Sequence, residues 1–421
     1  MAKKLSSVLG VDIGSQRIKV AEIRIQGRDA VVTALGMIPT PEGAVDHTGI
    51  YNSDAVGAAL KQCISDAGGT VPGVVASISG QASVLVRTIE VPRMNPAELK
   101  EHMQWEINRN IPFAESTVVS DFRPLADTDP NSANIDVVMA ISPQSAIDTV
   151  IACSKKAGKS LAAIDVEPLA LARSVQQSYA DVVQNETVCV VEMGHKTTSI
   201  NIYKDGKLLM PRQVPIGGEM FTKAIADALT ISLDEAERTK LSSAEIPESA
   251  ADAGPGGAAP GATQEFTPYN PFGEDLAPPP APAAYNPFAD STIAPAPSDA
   301  PAAPAPTAPE PAPAPTGSAE SARIYNAFAP VLDEFVAEVR RSIDYFRSRG
   351  GDVNRILICG GGSRMPGMVG FLGKALGVPC DNYDAFRRLN VSAKKVAPDF
   401  VQEHSQEFVV AIGNGLHILF D

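Results

Sequence analysis

Two segments whose turns lie 180 residues apart share one layout, and that duplication restricts the fold more than any single motif. The first, "SVLGVDIG", reads as a buried strand that breaks at Gly14-Ser15-Gln16 and resumes as "IKVAEIRI". The second, "TVCVVEMG", breaks at Gly194 and resumes as "TTSINIYK", with a further hairpin at Lys204-Asp205-Gly206. Short apolar runs separated by glycine turns predict strands in a meander. Strand, glycine turn, strand, turn, strand, twice over, predicts a duplicated unit.

The turns also suggest a chemistry. Backbone N–H groups in a tight turn can point at phosphate oxygens only where side chains stay out of the way. Gly14, Ser15 and Gln16 suit that role. Lys19, on the outgoing strand, can place its ammonium on the phosphates. Asp12, at the strand end, can accept hydrogen bonds from waters around Mg²⁺, an ion that keeps much of its hydration shell.

Composition excludes several alternatives. The net charge of −14 argues against a fold-wide attraction to nucleic acid. Five cysteines stand scattered with no CxxC, mostly in apolar stretches, which suits free thiols in a reducing cytosol. No run approaches the ~20 apolar residues that span a bilayer, and "MAKKLSSVLG" lacks a signal-peptide core. The chain is expected in the cytoplasm, meeting a membrane only through a partner.

Between Pro247 and Glu320 the composition changes. Those 74 residues hold 19 prolines, 21 alanines and nine acids, with no lysine or arginine. So little apolar payload predicts a disordered, partly polyproline II tether. It contains two near-copies, Tyr269-Asn-Pro-Phe272 and Tyr285-Asn-Pro-Phe288, which resemble a short docking motif used twice. Elsewhere, "SDAVGAALKQCISDAG" predicts a helix capped by Ser53 and stopped at Gly68. "NPAELKEHMQWEINR" predicts another, capped by Asn95, with an apolar stripe at Leu99, Met103, Ile107 and Ile111 that leaves Trp105 aside.

The chain resembles the actin-like ATPase superfamily, which includes sugar kinases, FtsA and MreB. Within it, "VDIGSQRIKV", "IEVPRMNPAELKEHMQWEINRNIPF", "DVEPLALAR", "VPIGGEMFT" and "AIGNGL" resemble the PilM family of type IV pilus assembly. The resemblance implies an α/β actin-like (duplicated ribonuclease H-like) fold with two lobes around a nucleotide cleft. The first lobe would comprise residues 1–85, 164–186 and 405–421, with an α+β module, 86–163, inserted in it. The second would comprise 187–216 and 350–404. An outer subdomain would comprise 217–246 and 321–349, interrupted by the insert 247–320.

The resemblance also assigns roles. The family has Asp-Ile-Gly at the second turn, where this chain has Glu192-Met193-Gly194, followed by Thr197 and Thr198. Gly194 and the threonines suit phosphate, while Glu192, one methylene longer, would sit differently towards magnesium. Glu167 matches the residue that holds the attacking water. Gly217-Gly218 and Gly360-Gly361-Gly362 would let backbone approach the ligand, Ser363 and Arg364 would flank the adenosine, and Glu237 with Lys240 would embrace adenine or ribose. The implied cofactors are ATP and Mg²⁺, with slow turnover at most. The implied partner is the N-terminal cytoplasmic tail of a PilN-like inner-membrane protein, gripped near Val86 to Ile111, and the paired Tyr-Asn-Pro-Phe copies would recruit a further pilus component or a motor ATPase. A small-molecule kinase and an FtsA- or MreB-like filament protein stay open as alternatives on the same fold.

Overall fold

The computed structural model describes residues 5–114, 117–125, 131–247 and 317–420. The two Tyr-Asn-Pro-Phe repeats and nearly all of the expected tether lie outside them. Strands β1 (Ser7–Ile13), β2 (Arg17–Gln26) and β3 (Asp29–Pro39) form an antiparallel meander. Helix α1 (Ser53–Ala67) then returns the chain to β4 (Gly73–Ile78), parallel to β1. The cap of α1 is Asn52 rather than Ser53: its side chain accepts the Ala55 N–H, one residue earlier than the sequence suggests. Gly68 closes the helix in the left-handed conformation, as expected.

A small module follows: β5 (Leu85–Pro92), α2 (Pro96–Arg109), β6 (Val118–Pro124) and β7 (Asn134–Pro143). Its sheet runs β5-β7-β6, and α2 packs Leu99, Met103 and Ile107 onto Val91, Val137, Met139 and Ile141. Asn95 and Glu98 form a full capping box, and Trp105 is exposed. The module ends at β7, not at residue 163. Helix α3 (Gln144–Lys156) buries Val150, Cys153 and Ala157 in the first lobe's core, and β8 (Ser160–Val166) pairs with β4. Gly57 lets α1 and α3 meet closely, since a Cβ there would lie 2.8 Å from the Cys153 carbonyl oxygen.

Helices α4 (Glu167–Ser178) and α5 (Ala180–Val183) lead to the second meander: β9 (Val188–Met193), β10 (Thr198–Lys204) and β11 (Lys207–Val214). Helices α6 (Gly218–Leu229), α7 (Leu233–Ser242) and α8 (Gly317–Ser348) pack outside it around Phe221, Phe328 and Phe335. Helix α8 starts at Gly317, three residues before the expected end of the insert. Then come β12 (Arg355–Cys359), a 3-10 turn (Gly361–Arg364), α9 (Met368–Leu376) and β13 (Cys380–Asn382). The chain ends in β14 (Asn390–Val391), α10 (Pro398–Glu403), α11 (Val409–Gly415) and α12 (His417–Phe420).

The first lobe's sheet runs β14-β3-β2-β1-β4-β8 and the second lobe's β11-β10-β9-β12-β13. Because β14 pairs with β3, the chain is back on the first sheet by Asn390, earlier than the expected 405. One apolar core joins the lobes through α4 and α11, taking Ile23 from β2, Ala170 and Val175 from α4, Val190 from β9 and Ile412 from α11. Helix α11 is wedged so tightly that glycine is required. A Cβ on Gly10 would lie 2.0 Å from the Ala411 carbonyl oxygen, and one on Gly413 2.0 Å from that of Ala170. Asn414 ties α11 to β1, donating to the Val11 carbonyl at 2.8 Å.

Gly413→Val should therefore cost about 3 kcal/mol or more, since backbone on both sides must shift. Urea denaturation of the variant against the parent measures this.

Candidate functional site

The two glycine turns are built alike and open onto one cleft. In the first, the Gly14 N–H donates to the Arg17 carbonyl at 3.1 Å; in the second, the Gly194 N–H donates to the Thr197 carbonyl at 2.9 Å. Each turn links antiparallel strands, β1 to β2 and β9 to β10. Residues 14–17 and 194–197 line the same solvent-open cleft of about 1000 Å³, with Asp12, Lys19, Glu167 and Glu192 also on its wall. Convergence of the turns follows from the duplicated meander: parallel pairing of β1 with β4, and of β9 with β12, puts both turns at one end of their sheets.

Lys19 is the cleft's central cation. Its ammonium donates to Asp12 Oδ2 at 2.7 Å, and the residue is 8% exposed. Burial alone would lower it, but Asp12, Glu192 and Glu407 outweigh that and hold it above the usual lysine value. Carboxyls outnumber cations here. Burial pushes Glu167 up to about 7, with Asp12 adding to the rise. Burial and the neighbouring Glu167 raise Glu192 well above the carboxylate range. Glu167 Oε1 has no hydrogen-bond partner.

The sequence reading missed Glu407, which lies just before α11 and lines the cleft. It joins His404 Nδ1 at 2.7 Å, Arg364 at 3.1 Å and Arg17 at 3.8 Å. Burial would raise its carboxyl, but His404, Lys19 and Arg17 hold it low. The loop with Asp46 and His47, and the turn with Ser77 and Ser79, complete the far wall and were also missed. The one signal for Glu407 was an acid abutting the apolar "FVVAIGNGL".

Several expected contacts fall elsewhere. The Thr198 hydroxyl is buried and donates to the Ile216 carbonyl at 2.6 Å, since alternate residues of β10 point to opposite faces. The buried Ser363 hydroxyl lies 2.7 Å from both the Gly360 carbonyl and the Gln406 side-chain oxygen. Arg364 is held by Glu407. Most of the glycine pairs serve protein contacts: a Cβ on Gly217 would lie 2.4 Å from the His195 carbonyl oxygen, and one on Gly360 2.4 Å from that of Met193. Of the second cluster, Gly361 lines the cleft. Lys240 is turned inward, donating to Glu237 at 2.7 Å, Thr222 at 2.8 Å and the Gly218 carbonyl at 3.1 Å. This network lies against Gly362, whose Cα would be 3.4 Å from a Cβ on Gly218.

A solved structure described as the PilM-PilN type IV pilus biogenesis complex matches 99% of this chain and 99% of its own, with a TM-score of 0.73 and 24% identity. The ethanolamine utilization protein EutJ from Carboxydothermus hydrogenoformans matches 98% of this chain and 91% of its own, with a TM-score of 0.50 and 13% identity. The fold is thus the two-lobed fold of the actin-like ATPases. The cell division protein FtsA of Neisseria meningitidis serogroup B is 22% identical over 251 residues, 55% of this chain. The match spans 60% of that relative's length. A family model described as type IV pilus assembly protein PilM matches residues 10–252, and one for FtsA matches 189–413. The chain belongs to the PilM family of type IV pilus assembly proteins.

Glu167 gives a test of the buried charge. With its carboxyl at about 7 against 4.5 unfolded, the folded state holds the extra proton between those values and loses stability as pH rises through them. Glu167→Gln removes that penalty. Above pH 7 the variant should exceed the parent by up to roughly 3 kcal/mol, and the gap should vanish near pH 4.5, as read by denaturation across pH.

Proposed function

We propose that the cleft takes ATP and that its occupancy sets the grip of the protein on the N-terminal cytoplasmic tail of a PilN-like inner-membrane partner. The observation that carries this is the pair of matched turns aimed at one cleft beside Lys19. Turn amides of Gly14, Ser15, Gln16, Gly194 and Thr197 suit phosphate oxygens, and Lys19 suits their charge. Gly361, with the Lys240–Glu237 pair and Gly218 behind it, suits the nucleoside end.

Among the described residues, no cluster of three or more His, Cys, Asp or Glu side chains could hold a metal alone. Asp12 and Glu192 therefore fit Mg²⁺ only through water, on an ion carried by the phosphates. When bound, the ion would neutralise phosphate charge. Glu167, buried and raised, suits holding a water nearby. Efficient turnover is not required by this reading: ATP acts by favouring one arrangement of the lobes.

The partner assignment is supported by the PilM-PilN complex among the structural neighbours. The tail would lie between the first lobe and the module, near Val86 to Ile111. No helix among the described residues is long and apolar enough to cross a membrane, so the partner would place the protein, from the cytoplasm, at the inner face of the inner membrane. The FtsA match favours a second reading as a filament former, which ATP-dependent sedimentation of the purified protein would support.

Lys19→Ala should weaken ATP binding by tenfold or more, about 1.4 kcal/mol at least. It should also abolish any ATP dependence of tail-peptide affinity in calorimetric titrations. Unchanged ATP affinity in this variant would sink the reading.

A further inference from the structure

The module's sheet ends at β6, which among the described residues pairs only with β7. The bonds flanking this pair show which way its main-chain groups point. The Leu125 N–H donates to the Asp136 carbonyl at 2.8 Å, and the Gln144 N–H to the Thr117 carbonyl at 3.0 Å. Odd-numbered residues here thus turn their N–H and C=O to β7. Alternation along an antiparallel strand turns the main-chain groups of Ser120, Phe122 and Pro124 to the outer edge. The outward Phe122 N–H is taken by the adjacent Asp121 side chain at 2.8 Å rather than by a strand.

The side chains alternate as well. Val118 and Phe122 pack with the cluster under α2, while Val119, Asp121 and Arg123 are exposed on the opposite face, Val119 by 40%. An open edge can take a further strand, and charges along it normally discourage that. Here the charges select a partner. Asp121 and Arg123 are opposite in sign and two residues apart. When a second β6 is laid antiparallel about an axis at Phe122, each Asp121 lies opposite Arg123 of the other copy, and each Val119 opposite Leu125. The two Phe122 residues then exchange N–H and C=O, and each Ser120 N–H meets the other copy's Pro124 carbonyl. Proline removes only one donor per strand from this ladder. Moving the axis one residue either way sets Asp121 against Asp121 or Arg123 against Arg123, so the charges favour a single register.

We propose that the outer edge of β6 joins a second copy of this chain in that antiparallel register, with an Asp121–Arg123 pair on each side of the axis. Two modules would then share one continuous sheet. The interface is small, so the association is weak and reversible in dilute solution, and it strengthens where copies are held close together. It needs neither nucleotide nor tail peptide, and so stands apart from both parts of the function proposed above.

The test is sedimentation velocity of the full-length, nucleotide-free protein over a concentration series. The parent should dimerise reversibly. Asp121→Arg and Arg123→Asp each set like charges across the axis, and each should weaken dimerisation about tenfold or more. The double variant Asp121→Arg/Arg123→Asp exchanges the charges and should restore the parent's affinity. An equimolar mixture of the two single variants should also dimerise as the parent does, since one carries both positive charges and the other both negative. Recovery in these two arms separates a lost interface from a misfolded module. A parent that stays monomeric at about 1 mM would overturn the proposal. So would single variants that dimerise like the parent, or a double variant and a mixture no better than the singles. Assembly that appears only with ATP would overturn it too, in favour of the filament reading.

Discussion

One lysine buried among four carboxyls is the constraint around which this molecule is organised. Lys19 comes from β2, Asp12 from β1, Glu167 from α4, Glu192 from β9 and Glu407 from the approach to α11. Five segments from both lobes thus deliver charge to one low-dielectric spot. Such a cluster is tolerable only if each member is paired or neutralised. Asp12 pairs with Lys19, Glu407 is shared among Arg17, Arg364 and His404, and burial biases Glu167 and Glu192 towards the protonated form. On the proposed nucleotide reading, a polyanion and its cation would change the charge balance of every member.

The same spot is where the lobes are mechanically joined. Helix α4 begins at Glu167 and packs on the core shared by both sheets, while Tyr203 of β10 donates to the Pro168 carbonyl at 2.7 Å. Helix α11 is held by main-chain contacts at Gly10 and Gly413 that admit no added atom. A shift of one glycine turn against the other cannot be absorbed in packing this close. It must appear where packing is looser, and the facing edges of β5 and β11 offer such a place, bridged by Thr88 and otherwise parted by a cavity. The module bears β5, so the two-turn cleft and the module are connected by a short path of rigid parts.

Much of this was legible in the residues. The duplicated meander could be read because strand periodicity and glycine turns are local signals. So could the Asn95 cap of α2 and the stop of α1. The allegiance of α3 could not: its apolar face reads the same whichever sheet it covers, and only Gly57 and Cys153 in three dimensions assign it to the first lobe. Strand β8 was hidden in "SLAAIDV", too weakly alternating to stand out. At the site, the turn residues and Lys19 were legible because their spacing is short. Glu407 was not, since it meets Arg17 390 residues away in sequence. The glycine pairs misled in an instructive way. Glycine reports that something comes close, and here, at Gly217 and Gly360, what comes close is the protein's own backbone.

Gly360 also explains how the chain accommodates its departure at the second turn. It has a φ of 86°, and a Cβ there would lie 2.7 Å from Glu192 Oε1. The longer side chain of Glu192 therefore occupies space that the absent Cβ leaves free, and its carboxyl stays on the cleft wall, deep and raised. A carboxyl that resists ionisation is a weaker acceptor for water on a metal ion than an exposed aspartate would be. On the nucleotide reading proposed above, that favours holding a nucleotide over turning it over.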